Sequence, residues 1–172
     1  MPYLGCAIMY RSRDFFMKKI FDLKGDKLGM VKDLFINYNI GKVEGFKISN
    51  YSFMNKKNYI SVDDIVDINN QIIVKKAKKG DGLSLSDIKN MDVIDTEGNL
   101  KGTVEDVLID IKTYEIKALV VYSGMIDKFI KGKEIILINR TILGEDYILF
   151  MENKSISMVN IPNIKNNAYE IN

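Results

Sequence analysis

The sequence repeats itself once, at an offset of 73 residues. Between positions 14 and 37, 7 of the 24 residues are identical to their counterparts without a gap. A period of this length exceeds the roughly 20–50 residues of solenoid units, so it indicates a duplicated domain. The identical pairs include Gly25/Gly98, Gly29/Gly102 and Asp33/Asp106.

Each copy contains short segments that are rich in Val, Ile, Tyr and Phe and are separated by turn-forming residues. Such segments are typical of strands and are too short for helices. Helix is expected only around 13–17, around 86–89 and in turns, and 63–67 is predicted to be a turn or a single helical turn. The predicted strands are 18–22, 29–38, 43–49, 58–62 and 71–75 in the first copy, and 91–95, 102–111, 115–123, 133–138 and 147–151 in the second.

The second predicted strand of each copy contains an irregularity. Its apolar alternation slips by one residue after Asp33 and after Asp106, which indicates a β-bulge. Two matched aspartates could serve catalysis or a metal, but the favoured interpretation is that each carboxylate accepts backbone N–H groups. The recurring glycines of the repeat are assigned to turns and turn-to-strand junctions, where a side chain would meet neighbouring backbone or require a strained φ. These glycines are Gly25, Gly29, Gly98 and Gly102.

One run of residues resembles the opening of a PRC-barrel domain: Asp22-x-x-Gly25-x-x-x-Gly29-x-Val31-x-Asp33-Leu-Phe-Ile36. Its counterpart from Asp95 to Ile109 does so too, and the resemblance continues through 41–46 and 60–65. The resemblance implies an all-β fold of two tandem small PRC-type β-barrels with little helix, at residues 10–79 and 83–152, and a binding platform without shared catalytic residues. Similar domains occur in reaction-centre H subunits and ribosome maturation factors, whose specific functions are not transferred.

Three further features concern how the copies are arranged. A basic stretch at 75–82 is interpreted as a linker, and the Asn-rich stretch 153–172 as a loose C-terminal tail. Each copy is small, and the strand around 116–122 is apolar on both faces. The two barrels are therefore predicted to be packed together.

The residue types available for chemistry are few. The chain has no histidine and a single cysteine, Cys6, so histidine-based catalysis and zinc sites are excluded. The acidic run Asp63-Asp64-x-x-Asp67 lacks the ligand spacing of a calcium loop. The sequence therefore predicts no enzyme, no cofactor and no metal.

Two loops mix bulky apolar residues with lysines and are the candidate partner-binding sites. The alternative is that their apolar side chains plug a barrel end or the interface between the copies. The basic linker, together with Lys18, Lys19, Lys56 and Lys57, serves either solubility or contact with an anionic surface such as RNA or lipid headgroups. The candidate partner-binding residues are Phe53, Met54, Lys56, Lys57, Met125, Ile126, Phe129, Ile130 and Lys131.

These observations favour a non-catalytic, cytoplasmic adaptor with a protein partner. The lone cysteine fits a reducing compartment, and no apolar run approaches the roughly 20 residues of a membrane-spanning helix. The alternative is a ribosome- or RNA-associated factor, because residues 1–82 carry a net charge of +6 and residues 83–172 one of −4. Peripheral membrane contact is a weaker third hypothesis. The partner's identity and the oligomeric state are left open.

Overall fold

The structure is a computed structural model, and it describes residues 7–49, 57–123, 133–151 and 169–171. It is predominantly β, which confirms the predicted all-β class and the small helical content. The helix α1 spans Leu85–Ile88, and 3-10 helices lie at Ser12–Asp14, Val62–Asp64 and Ile138–Arg140. The strands up to the middle of the chain are β1 (Ala7–Arg11), β2 (Lys19–Asp22), β3 (Lys27–Asn37), β4 (Lys42–Ser49), β5 (Tyr59–Ser61), β6 (Ile65–Ile68) and β7 (Gln71–Val74). Those that follow are β8 (Asp92–Asp95), β9 (Leu100–Asp110), β10 (Ile116–Tyr122), β11 (Glu134–Leu137), β12 (Thr141–Leu143), β13 (Tyr147–Phe150) and β14 (Tyr169–Ile171).

The chain divides into two compact units. Unit 1 draws on Met1–Asp14, Tyr38–Gly41 and Ile88–Asn172, and unit 2 on Phe15–Asn37 and Lys42–Asp87. The segment that opens each repeat belongs to the unit formed mainly by the other repeat, and the turn Tyr38–Gly41 of the first repeat belongs to unit 1. Close packing of the two barrels stays a prediction.

The two units share one strand order. Unit 2 runs β5-β4-β3-β2-β7-β6, and unit 1 runs β11-β10-β9-β8-β13-β12. Neighbours along these orders are antiparallel except β2 with β7 and β8 with β13, which are parallel. Among the described residues no ladder joins the two end strands of either order, so the sheets are not the closed barrels of the prediction. Only a three-residue 3-10 helix separates the end strands along the chain, at Val62–Asp64 and at Ile138–Arg140.

Three irregularities of pairing recur at equivalent positions of the repeat. Because an extra residue on one strand shifts the register, each marks a bulge. The shift between Val31 and Asp33 has its counterpart between Val104 and Asp106, immediately before the slip in the apolar alternation of the sequence. Beyond it, the residues of β3 from Asp33 to Ile36 are all buried in succession. The unpaired residues at these shifts are Leu28 and Lys101, Lys32 and Glu105, and Glu44 and Lys117.

An aspartate holds the turn between the first two strands of each repeat. Asp95 Oδ1 accepts the backbone N–H groups of Glu97 and Asn99 at 2.9 and 2.8 Å. Hydrogen bonds from Asn99, through its side chain first and its backbone second, hold the pKa of Asp95 at about 2. Gly98 lies at φ +85°, a conformation that side chains disfavour. Asp22 and Gly25, at φ +88°, do the same in the first repeat.

Besides β1 and β14, the short strands β6 and β12 were not predicted from the sequence. Residues 63–67, predicted as a turn or a single helical turn, form the end of the 3-10 helix Val62–Asp64 and most of β6, and β12 is the equivalent strand of the second repeat. The three to four residues of such strands carry no alternation, since Val66 and Asp67 are both exposed. They form because β7 and β13 offer antiparallel partners.

The predicted linker at 75–82 forms hydrogen bonds with β5 and with Asn58, the residue immediately before that strand. Tyr59 and Lys78 exchange backbone hydrogen bonds of 3.0 and 2.8 Å. The Asn58 side chain bonds both to the N–H and to the carbonyl of Gly80, at 3.1 and 3.0 Å. These bonds make the stretch part of unit 2. Within the predicted loose tail, residues 169–171 form β14, which pairs antiparallel with β1. Residues 153–168 and 172 lie outside the described residues.

The strand with apolar residues on both faces is buried throughout its centre. Ala118 and Val121 in β10, and the two residues between them, are all buried. On one face Ala118 and Val120 pack with Leu108 and Ile135 of the same unit. Unit 1 therefore supplies at least part of the cover for the second apolar face of this strand.

Met17 is expected to be a strained position. It lies at φ +64°, and its repeat counterpart Asn90 lies at φ +65°. Asparagine tolerates this left-handed conformation better than an unbranched apolar residue does, and Met17 is 68% exposed, so its side chain contributes little packing. Met17→Asn should raise the free energy of unfolding by about 0.5–1 kcal/mol, measured as a higher denaturant midpoint at unchanged slope. The converse variant Asn90→Met should lower it by a similar amount, and a Met17→Asn variant less stable than the parent would contradict the strain.

Candidate functional site

A groove of about 610 Å³ opens on unit 1. Three segments line it: the turn Tyr38–Gly41, the residues around the start of β10 at 115–117, and the stretch from the end of β11 through β12 at 137–143, with the exception of Arg140. All three segments belong to unit 1. The groove therefore lies beside the 3-10 helix that separates the two end strands of this unit.

A buried tyrosine anchors the turn to the 3-10 helix. The Thr141 hydroxyl donates to the carbonyl of Ile138 at 2.7 Å. The Tyr38 hydroxyl, 2.7 Å from Thr141 Oγ1, must therefore be the donor in that pair. Burial raises the pKa of Tyr38 to about 12, so the phenol stays protonated at neutral pH and serves as a hydrogen-bond donor rather than as an acid or base.

Gly41 brings the turn close to the floor of the groove. It lies at φ +60°, and a Cβ at this position would lie 3.1 Å from Ile138 Cγ2 and 3.4 Å from the Ile116 carbonyl oxygen. Its own carbonyl accepts the Ile116 N–H at 2.8 Å. A side chain at Gly41 would press on Ile138 and on the Ile116 carbonyl, so the glycine allows the turn to approach these residues closely.

The rim of the groove is apolar and open to solvent. Ile40 is 66% exposed, Ile142 50% and Leu137 39%. Large aliphatic side chains that lie around one groove and face water are typical of a surface that binds a partner. The first repeat is more polar at the equivalent positions, because Asp63 and Asp67 correspond to Ile138 and Ile142.

The charged residues of the groove are paired with each other. Lys117 Nζ donates to Glu115 Oε2. This bond and the lysine charge lower the pKa of Glu115. The other polar side chains in the lining include Asn39 and Asn139, which are neutral. The groove therefore offers hydrogen-bonding groups and apolar surface, but little net charge.

Asp106, considered above for catalysis, is surrounded by hydrogen-bond donors of its own unit. Its Oδ1 accepts the N–H and the hydroxyl of Ser12 at 3.1 and 2.5 Å, and the N–H of Val107 at 2.9 Å. Its Oδ2 lies 3.3 Å from the Nε of Arg11, which is 5% exposed. Asp33 in unit 2 accepts the N–H of Leu34 at 2.8 Å. These contacts use the carboxylates for structure.

Glu105 extends this cluster towards solvent. Its Oε1 lies 2.6 Å from Lys133 Nζ and 3.3 Å from Arg11 Nη2. Burial raises the pKa of Glu105, but Lys133 and then Arg11 lower it by more, so the side chain is ionised at neutral pH. The pair with Arg11 joins β1 to β9, and the pair with Lys133 joins β9 to the residue before β11, so the Glu105 carboxylate is used for structure.

Most of the predicted partner-binding residues cannot be placed. Lys57 is exposed at the start of a described range. The remaining candidates lie outside the described residues, and their role stays a prediction: Phe53, Met54, Lys56, Met125, Ile126, Phe129, Ile130 and Lys131.

The basic linker has an acidic neighbour. Lys78 Nζ lies 2.9 Å from Asp64 Oδ2, and Lys76 Nζ lies 4.0 Å from Asp64 Oδ1. A hydrogen bond to Asp64 raises the pKa of Lys78. Part of the positive charge that suggested an anionic partner is therefore balanced within unit 2.

The groove was not predicted from the sequence, although one signal was present. Ile40 stands in the middle of the predicted turn Asn39-Ile-Gly41, where an exposed turn ordinarily carries polar residues. Ile142 belongs to β12, a strand that was not predicted. No pattern in the sequence links these two residues, because they come together only through the fold of unit 1.

Within the ranges that the structure describes, no group of three or more His, Cys, Asp or Glu residues could hold a metal ion. None of the helices in these ranges has the length and apolar character needed to cross a lipid bilayer. Comparison with protein families matches the PRC-barrel domain twice, at residues 7–82 and at residues 80–155. Comparison with curated proteins gives no match.

Proposed function

Because the chain belongs to the PRC-barrel family, with two such domains in tandem, we propose that it is a non-enzymatic adaptor that binds a protein partner. The observation that carries the proposal is the open groove of unit 1 with its exposed rim of Ile40, Leu137 and Ile142. Apolar side chains grouped in this way gain free energy when a partner removes them from water. The lone cysteine supports a reducing, cytoplasmic setting.

The chemistry of the groove favours an apolar segment of a protein over a nucleic acid. Nucleic acids are bound through lysines and arginines that neutralise phosphates. The lysine in the lining, Lys117, is already paired with Glu115. By contrast, the aliphatic rim and the neutral amides of Asn39 and Asn139 suit a segment with apolar side chains and free backbone groups.

A charge placed on the rim should weaken this binding. Ile142→Asp and Ile40→Asp each put a carboxylate where the partner would exclude water, which should weaken binding at least about tenfold. Leu100→Asp is the matched control, since Leu100 is 60% exposed and does not line the groove. The tagged full-length protein and its variants are used for capture from the source cell, and the captured protein is then purified and its affinity measured.

Salt separates this proposal from the ribosome- or RNA-associated alternative. Capture through an apolar groove should persist between about 0.1 and 0.5 M salt, whereas binding to phosphates weakens steeply because counterions are released. The proposal is supported when the measured affinity falls in both groove variants, is unchanged in Leu100→Asp and resists salt and nuclease. Equal affinity in all variants, or capture lost with salt or nuclease, contradicts it.

A further inference from the structure

The segment that opens each repeat is held by the unit that most of the other repeat forms. We name residues 7–14 arm 1 and residues 83–87 arm 2. Arm 1 lies in unit 1, where β1 pairs with β9 in the register Met9↔Asp110 and Arg11↔Leu108. Arm 2 lies in unit 2, where Ser84 pairs with Phe35. The two arms are thus exchanged reciprocally within one chain.

The long strands explain why each unit needs an arm. β9 has 11 residues, and its pairs with β8 involve only 100–103 on one edge. β10 pairs with β9 along its other edge. On the first edge, β8 offers no partner to the backbone groups at 108–110. Arm 1 pairs with this part of β9, and in unit 2 the N–H of Ile36 donates to the carbonyl of Leu83 in arm 2 at 2.9 Å. Unpaired buried backbone groups are costly, so the arm is a required component.

Arm 1 is anchored by buried polar contacts. Met9, Arg11 and Ser12 are buried, at 3%, 5% and 0% exposed. Ser12 donates twice to Asp106, and Arg11 lies against Asp106 and Glu105. All of these contacts lie between the arm and residues 88–151, so they would be the same if the arm came from another molecule.

Both arms leave their unit at the same place in the repeat. Unit 1 gives way to unit 2 between Asp14 and Phe15, and unit 2 gives way to unit 1 between Asp87 and Ile88. At each crossing the aspartate accepts the N–H three residues before it, from Arg11 and from Ser84, both at 2.7 Å. No spare loop residues separate an arm from the unit that follows it.

We infer that arm 1 is exchangeable between molecules, so that β9 of one chain accepts residues 7–14 of a second copy and two chains form a reciprocally exchanged dimer. Exchange of this kind needs no new interface, because the pairing of β1 with β9 and the contacts of Arg11 and Ser12 with Glu105 and Asp106 are retained. A short, strained connection between an arm and the next unit favours exchange between molecules. Here the connection is the peptide bond from Asp14 to Phe15, and Met17 lies soon after it in the left-handed region at φ +64°. The occupant of the arm site is thus another copy of the same arm.

The experiment uses two differently tagged full-length chains, each with Cys6→Ser. One chain carries Met9→Cys and the other Asp110→Cys, residues that face each other in the ladder between β1 and β9. Paired residues on antiparallel strands hold their Cβ atoms about 4.5–5.5 Å apart. The chains are unfolded together, refolded at high and at low concentration, and treated with a short bifunctional thiol reagent.

A cross-link between the two tags, more abundant after refolding at high concentration, is the expected result, because the two cysteines meet only when the arm of one chain lies on β9 of the other. The control replaces Asp110→Cys by Leu100→Cys, an exposed position that arm 1 does not reach. Light scattering of the unaltered protein, refolded in the same way, should show a dimer whose share rises with concentration. A monomer at every concentration, or cross-linking no greater than with Leu100→Cys, overturns the inference.

Discussion

Gly102→Val is expected to lower the free energy of unfolding by about 3 kcal/mol or more. A Cβ at this position would lie 2.3 Å from the carbonyl oxygen of Tyr122 and 2.9 Å from Cα of Ser123, both backbone atoms that cannot turn aside. Gly102 also lies at φ +149°, which a β-branched residue adopts with strain. Denaturant unfolding followed by circular dichroism measures the change.

Gly98→Val is the matched control for this prediction. Gly98 has a positive φ of +85°, but a Cβ there would meet nothing within 4 Å. Only conformational strain remains, so the loss should be about 1–2 kcal/mol. Gly29, the counterpart of Gly102 at φ +155°, should also resist substitution by valine. Equal losses for Gly102→Val and Gly98→Val would show that close backbone contact at Gly102 has no effect on stability.

Asp106→Ala is expected to lower the free energy of unfolding by about 3–5 kcal/mol. The substitution removes the acceptor of Ser12 and Val107 and takes from the buried guanidinium of Arg11 its buried counterion, so that the 3.3 Å contact to the partly exposed Glu105 remains. Buried donors without a partner and a buried charge without its counterion are both strongly destabilising. Asp33→Ala, in the equivalent bulge, should lose less, because its carboxylate accepts one short bond from Leu34 and one of 3.4 Å from Ser86.

A double substitution tests the cause of this loss. Arg11→Met removes the buried charge while keeping a long apolar side chain, so Arg11→Met/Asp106→Ala should be more stable than Asp106→Ala alone. The unfolding free energies of the two single variants and the double variant complete the cycle. If the double variant loses as much as the sum of the single variants, the ion pair between Arg11 and Asp106 does not account for the effect.

The repeat in the sequence by itself determined a large part of the fold. Gly98 and Asp95 recur as Gly25 and Asp22 because both turns need a left-handed residue and a carboxylate that caps backbone N–H groups. The slip beside Asp33 and Asp106 indicated the bulges, since a register shift changes which face each side chain takes. Local chemistry of this kind is visible in a sequence because the interacting residues are neighbours along the chain.

Tertiary structure alone decided the rest. The groove depends on Tyr38, Ile40 and Ile142, and the Tyr38–Thr141 hydrogen bond joins residues 103 positions apart. The arms are another such case, because the two repeats present nearly equivalent edges on β3 and β9 and the sequence does not say which edge an arm will join. The choice follows from the path of the chain at Asp14 and Asp87, where each arm passes directly from one unit into the other. Turns and bulges arise from short-range backbone chemistry, whereas sites and exchanged strands arise from contacts between residues that only the complete fold brings together.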